Sequence, residues 1–106
     1  MQRIDRDEEL RVKLNAETGK ITWRELERHF ARGVVIRVAE DLDLVEVALR
    51  MAKDDRPAVE RWLTEGKVER ASAVDAQDWH RRDPVFWAVV VAPWVLVQEF
   101  RAHYVS

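Results

Sequence analysis

The side chains best suited to acid–base or metal chemistry are three histidines, at positions 29, 80 and 103. Each has one carboxylate at helical spacing, in the pairs Glu25–His29, His80–Asp83 and Glu99–His103. A catalytic zinc ion needs three protein ligands, so one imidazole with one carboxylate is an incomplete site. On a helix, such a pair is an ordinary ion-pair or dipole contact. We therefore interpret the histidines as structural and expect no metal.

Two pairs of aspartates are the densest carboxylates, Asp41 with Asp43 and Asp54 with Asp55. Paired carboxylates can transfer protons or hold a divalent cation. However, each pair stands at a predicted helix start, where aspartate is a preferred N-cap. No calcium-loop, nucleophile-elbow or phosphate-loop motif is present, and the chain has no cysteine. We expect no cofactor and no catalytic residue, which argues against an enzyme.

The charge pattern argues against nucleic acid and membrane partners. The 18 basic and 20 acidic residues give a net charge of −2, with no strongly basic segment to bind phosphates. A helix-turn-helix over Asp43–Lys53 and Pro57–Glu65 would present more acid than base to DNA. The uncharged run Val85–Val97 is shorter than the ~20 residues that span a bilayer. The N-terminus lacks the apolar core of a leader peptide, so we expect a cytoplasmic protein.

The elements that must position these side chains form one predicted domain, residues 1–106. Capping residues, glycines and apolar periodicity predict five helices: about Asp7–Thr18, Thr22–Arg32, Asp43–Asp54, Pro57–Glu65 and Ser72–Arg82. Valine-rich runs predict strands at Val34–Val38, Lys67–Ala71 and Val85–Val91. The fold class is α+β, about five helices around a three- to four-stranded sheet. Val85–Val91 is apolar on both faces, so this C-terminal strand is predicted to be central.

Local details of these elements are also predicted. Gly19 is expected to end the first helix in the left-handed conformation. The fourth helix is expected to bury Val59, Trp62 and Leu63, and Trp79 is expected to be half covered.

Residues 94–104, which follow Pro93, fit two alternatives. As a strand, they continue past a proline bulge at a sheet edge. As a helix opened by Pro93, they align Leu96, Val97, Phe100 and Tyr104 on one face. The Val-Leu-Val run favours the strand, and a continuous strand places Trp87 and Trp94 on opposite faces.

Five tryptophans are the compositional excess, and two of them suggest a function. Trp87 and Trp94 flank an apolar segment, and exposed aromatic residues anchor protein interfaces. The leading hypothesis is a non-enzymatic cytoplasmic interaction module that forms a homodimer. Its candidate interface residues are Trp87, Trp94, Leu96, Phe100 and Tyr104. The alternative is a small-molecule-binding protein or enzyme with a tryptophan-lined pocket, in which His80 and Arg82 supply polar groups.

Four segments resemble one protein family: Thr22-Trp-Arg-Glu-Leu, Asp43-Leu-Val-Glu-Val-Ala, Trp62-Leu-Thr-Glu-Gly-Lys-Val and Trp87-Ala-Val-Val-Val-Ala-Pro-Trp-Val-Leu-Val-Gln98. They are similar to the bacterial family known as domain of unknown function 2288, from about Leu10 to Gln98. The resemblance implies a single-domain bacterial protein. It implies no activity, cofactor or catalytic residue.

Overall fold

A computed structural model describes residues 5–100, and within them the chain forms five helices and five strands. In chain order they are α1 (Arg6–Glu17), β1 (Gly19–Thr22), α2 (Trp23–Ala31), β2 (Val35–Val38), α3 (Leu44–Ala52), α4 (Arg56–Thr64), β3 (Val68–Arg70), α5 (Ala73–Arg82), β4 (Val85–Val91) and β5 (Trp94–Glu99). The predicted α+β class is confirmed. The sheet has five strands instead of three or four, because β1 was not predicted and β5 is a separate strand.

The five strands form one mixed sheet in the order β1-β4-β5-β2-β3. β5 runs antiparallel to β4 and parallel to β2, and the two outer pairs are antiparallel. The valine-rich β4 therefore lies inside the sheet, as predicted, with a neighbour on each side. The middle position, however, belongs to β5.

The strand alternative after Pro93 is confirmed for residues 94–99. The predicted bulge is wrong, because the chain reverses direction after β4 instead of continuing past the proline. Val91 pairs with Trp94 across a two-residue turn, and the Ala92–Pro93 peptide bond is cis. A cis-proline at the third position defines a type VI turn. Because the turn folds the second half of the apolar run back on the first, β5 lies in the middle of the sheet and not at its edge.

Helices cover the sheet on both sides and divide the core into two clusters. One face packs against α1, α3 and α4, and we call it the α3 face. The other packs against α2 and α5. Alternate residues of each strand serve the two clusters: Val89 and Leu96 point to the α3 face, whereas Phe86, Val95 and Val97 point to the other.

Helix α3 is the most enclosed helix, as its wide apolar arc predicts. Its buried residues are Leu44, Val47, Ala48 and Leu49. Asp43 caps it by accepting hydrogen bonds from the backbone N–H groups of Val45, at 2.9 Å, and Glu46, at 3.2 Å. The neighbouring Asp41 instead pairs with Lys67 at 2.8 Å, which lowers the pKa of its carboxyl group.

The other predicted caps are also confirmed. Thr22 and Ser72 each form a capping box with the residue three positions on, and Asp55 caps α4 ahead of Pro57. These bonds satisfy backbone donors that the first helical turn leaves free.

Three local predictions are wrong. Gly19 is not left-handed but begins β1, because Thr18 is already extended and its hydroxyl donates to the Leu14 carbonyl. None of the three α4 residues expected to be buried is fully buried, since α4 lies at the rim of the α3 face: Val59 and Trp62 are half-buried, and Leu63 is 49 % exposed. Trp79 is only 2 % exposed, because its ring packs against Trp23 and Phe86 in the second core cluster.

Candidate functional site

An open groove lies on the α3 face, between the C-terminal end of α1 and the N-terminal end of α3. Its volume is about 500 Å3. The residues that line it are Asn15, Thr18, Asp43, Leu44, Val45, Trp87 and Gln98. Trp87 and Gln98 are paired across β4 and β5 and form the floor. We call this the Trp87 groove.

An aromatic cluster adjoins this groove where the helices no longer cover the sheet. Trp87 and Phe100 pack edge to face, with ring centroids 5.5 Å apart and an interplanar angle of 76°. Lys20 pairs with Trp87 across β1 and β4, and its Nζ lies 4.2 Å from the Phe100 centroid and 5.3 Å from that of Trp87. Val85 shares this face of β4 and, like Phe100, is exposed. We call Lys20, Val85, Trp87 and Phe100 the aromatic patch.

The floor of the groove is held in place by Gln98. Its Nε2 atom donates to the carbonyl oxygens of Ala39 and Leu42, both at 2.7 Å. Both amide hydrogens are thus used to tie the loop before α3 to the sheet, and the side-chain carbonyl is left as an acceptor.

Two charges beside the floor lack ionic partners. Lys20 Nζ lies over the rings of Trp87 and Phe100, and Asp43 uses its carboxylate to cap α3. Neither forms an ion pair within residues 5–100. The site therefore combines partly exposed aromatic surface with one charge of each sign that forms no ion pair among the described residues.

A second, smaller groove lies on the same face at the hairpin end. Its volume is about 270 Å3, and its lining residues are Met51, Asp54, Asp55, Arg56, Val59, Glu60, Val91, Ala92 and Trp94. The indole ring of Trp94 also contacts the Arg70 guanidinium, whose central carbon lies 5.2 Å from the ring centroid. We call this the Trp94 groove.

Four of the predicted interface residues are described by the structure, and they are distributed over the α3 face. Trp87 and Phe100 contact each other, whereas Trp94 lies about 13 Å along the sheet, four residues at ~3.3 Å each. Leu96 has no exposed surface and is a core residue, so it cannot contact a second folded chain. Tyr104 lies outside the described residues.

The predicted pocket residues do not accompany either tryptophan. His80 is exposed at the surface, and its Nδ1 atom lies 3.8 Å from Oε1 of Glu27. The pair with Asp83 that the sequence predicts does not form. Arg82 pairs with Asp78 at 2.7 Å and Glu99 at 2.8 Å. Neither His80 nor Arg82 lines the Trp87 groove or the Trp94 groove.

The structure also differs from the expected pairing of Glu25 with His29. Glu25 uses its side chain in the capping box with Thr22, so it is not a partner for His29. His103 is outside the described residues. In the stretch from Asp5 to Phe100, no three histidine or acidic side chains are grouped so that they could hold a metal ion.

Sequence reasoning missed Lys20, Asp43 and Gln98 as parts of the site. Lys20 reaches Trp87 only through the register of β1 and β4, and Gln98 reaches Ala39 across 59 positions. No local pattern indicates contacts of this kind. For Asp43, the sequence indicates a helix cap, but nothing in the sequence indicates that the same residue also lines a groove.

The fold and site define a small α+β domain with a mixed five-stranded sheet between two helical layers. In the part of the chain that the structure describes, no helix has the length and apolar character to cross a membrane. The family model described as "Protein of unknown function (DUF2288)" matches residues 9–99, and the chain belongs to this family. The predicted resemblance is thereby confirmed.

Among solved structures, the chain is similar to the NMR solution structure of PA1075 from Pseudomonas aeruginosa. The two are 44 % identical, with a TM-score of 0.78, over 100 % of this chain and 97 % of that chain. No curated protein matches the chain.

Proposed function

We propose that this protein is a non-enzymatic cytoplasmic interaction module that self-associates as a two-fold homodimer through the aromatic patch. The observation that carries the proposal is the Trp87–Phe100 pair at the end of the α3 face, in which Phe100 is exposed and Trp87 is half-buried. Partly exposed aromatic rings in a fixed geometry are typical anchors of protein interfaces, because they bury a large area at little entropic cost.

Charge complementarity supports a second copy as the occupant. In a two-fold interface the same surface serves both partners, so it must be complementary to itself. The aromatic patch and the adjoining groove wall carry Lys20 and Asp43, neither of which forms an ion pair with another described residue. A two-fold axis near Trp87 brings Lys20 of each copy towards Asp43 of the other.

The proposed contact does not involve a strand edge. One long strand over Val85–Val97 would leave part of its edge unpaired, whereas the run folds into a hairpin that pairs β4 with both β1 and β5. The proposed contact is therefore made by side chains on the sheet face. The proposed cytoplasmic location is supported by the lack of cysteine, which is typical of proteins in a reducing compartment.

Sedimentation equilibrium at micromolar concentration tests the dimer. We expect about twice the chain mass of 12.5 kDa. Lys20→Gln and Asp43→Asn should each raise the dissociation constant roughly fivefold, the effect of losing ~1 kcal/mol. Asparagine caps a helix as well as aspartate does, so the second variant keeps α3 intact. Phe100→Glu should give mostly monomer, since it places a charge in an apolar contact.

Matched controls separate the patch from a general charge effect. Lys13→Gln removes an exposed lysine on α1, outside the patch, and Asp5→Asn changes another N-cap aspartate. Both should leave the dissociation constant unchanged. A monomeric wild type, or patch variants that behave like these controls, would contradict the proposal.

The Trp87 groove also supports an alternative function, the binding of a small molecule. Its volume of about 500 Å3 lies within the common range of ligand sites. Asn15, Thr18 and Gln98 place polar atoms around the Trp87 ring, as such sites require. Native mass spectrometry of the purified chain tests this function: a co-purified small molecule that is lost in Trp87→Leu favours it, and a ligand-free spectrum argues against it.

A further inference from the structure

We propose that the Trp94 groove docks a lysine or arginine side chain from an extended segment of a partner protein. This site is separate from the aromatic patch, and the proposal stands whether or not the chain forms a homodimer. It rests on the shape of the groove, on the chemistry of its floor and on the charge at its rim.

The groove is built from the turn between α3 and α4 and from the tip of the β4–β5 hairpin. Its floor is apolar, with Met51, Val59, Val91 and Trp94. A volume of about 270 Å3 equals the space of roughly nine water molecules, at ~30 Å3 each. It can hold one long side chain, whereas a helix or a folded domain is too large to enter.

The acidic residues at the rim of the groove favour a cationic ligand. Asp54, Asp55 and Glu60 line the groove together with a single base, Arg56. Asp55 is engaged as the α4 cap and pairs with Arg50 at 3.6 Å. The Asp54–Arg56 pair, also at 3.6 Å, is almost fully exposed and therefore weak.

Glu60 is the third acidic residue of the groove. It is exposed and takes part in no ion pair within residues 5–100. The residues that line the groove therefore carry an excess of negative charge, which a cationic side chain would neutralise.

The floor suits the same ligand. Lysine and arginine carry apolar stems that pack against aliphatic side chains while the charged head stays near the rim. The face of an indole ring attracts cations, and Trp94 lines this groove. Ala92 and Pro93 are exposed beside the groove, so the residues that flank the docked side chain can lie along the hairpin tip.

An NMR titration of the full chain tests the site, with amidated tetra-arginine as the probe. We expect saturable shifts of the Trp94 indole N–H signal, which weaken as salt is raised because the attraction is partly ionic. Amidated tetra-glutamate should give none. Single arginine amide should bind at least tenfold more weakly, since it lacks the flanking residues.

Surface variants keep the test independent of folding. Glu60→Gln should weaken binding of tetra-arginine about fivefold, and Asp54→Asn should have a similar effect. Asp54 has a φ of 54°, a conformation that asparagine tolerates. Glu17→Gln removes an exposed carboxylate on α1 that forms no ion pair with another described residue, and it is the matched control, with no expected change.

Four outcomes would overturn the proposal. The Trp94 signal does not respond to tetra-arginine, or it responds equally to tetra-glutamate, or Glu60→Gln binds as tightly as Glu17→Gln. If single arginine amide binds as tightly as the tetrapeptide, the groove is a site for small amines, and the partner-protein proposal is wrong.

Discussion

Trp87 and Trp94 lie on the same face of the sheet, near opposite ends of one β-hairpin. Trp87 pairs with Gln98, and Trp94 pairs with Val91. Because residues paired across two strands share a face, the turn at Pro93 brings both indole rings to the side covered by α3. The two grooves that they line therefore open on the same side of the molecule, about 13 Å apart, and one partner surface can reach both.

Helix α3 should be the centre of stability. Leu49 has no exposed surface and lies in the larger core cluster, so Leu49→Ala opens a cavity and should cost about 2–5 kcal/mol of unfolding free energy. Leu63→Ala is the matched control: this side chain is half exposed on α4, and its loss should cost under ~1 kcal/mol. Urea unfolding measures both. Equal losses would show that α3 is not the centre of the core.

Gln98 should matter for stability through its two hydrogen bonds. Gln98→Leu leaves the carbonyl groups of Ala39 and Leu42 without their donor in a partly buried site, which should cost about 1–3 kcal/mol. Gln77→Leu, an exposed glutamine on α5, should be within about 0.5 kcal/mol of the wild type. If the two variants unfold at the same urea concentration, the bonds of Gln98 do not stabilise the loop.

Acid should weaken the fold partly through Asp78. Its hydrogen bond with the Arg82 guanidinium holds the pKa of the carboxyl group below the ordinary value of 3.8. A lowered pKa in the folded state adds stability above the unfolded pKa, and this is lost as the pH falls through the folded pKa. We expect the urea midpoint to fall below about pH 5.

Asp78→Asn and Arg82→Gln should each flatten this fall, and the double variant should add little to either. Asp7, which bonds with Lys53, and Asp41 have lowered pKa values for the same reason and should preserve a residual slope. A slope unchanged in both single variants would show that the Asp78–Arg82 pair does not contribute.

DNA binding should be undetectable. The net charge is −2, and α4, the helix that a helix-turn-helix would place in the groove, exposes Glu60 and Arg61, with Glu65 as its C-cap. Fluorescence anisotropy with a random-sequence duplex at ~150 mM salt should show no binding. Sub-micromolar affinity that falls steeply with added salt would contradict this expectation.

The helices of this protein are determined by short stretches of its sequence. Thr22, Asp43 and Ser72 cap helices whose first-turn N–H groups lie two or three residues away. Gly33 and Gly66 follow α2 and α4 with positive φ angles of 74° and 71°. Each of these contacts joins near neighbours in the chain, so residue type and spacing are enough to predict them.

The site was decided by tertiary structure. Lys20 meets Trp87 through the pairing of β1 with β4, and Arg82 meets Glu99 through the packing of α5 on the sheet. A valine-rich strand that is apolar on both faces does not indicate which strands are its neighbours or in which register they pair. The turn at Pro93 reversed the predicted facing of Trp94, because a strand that continues and a strand that folds back have the same local pattern. Only the hydrogen-bond ladder of the folded sheet distinguishes them, since it joins residues that are far apart in the chain.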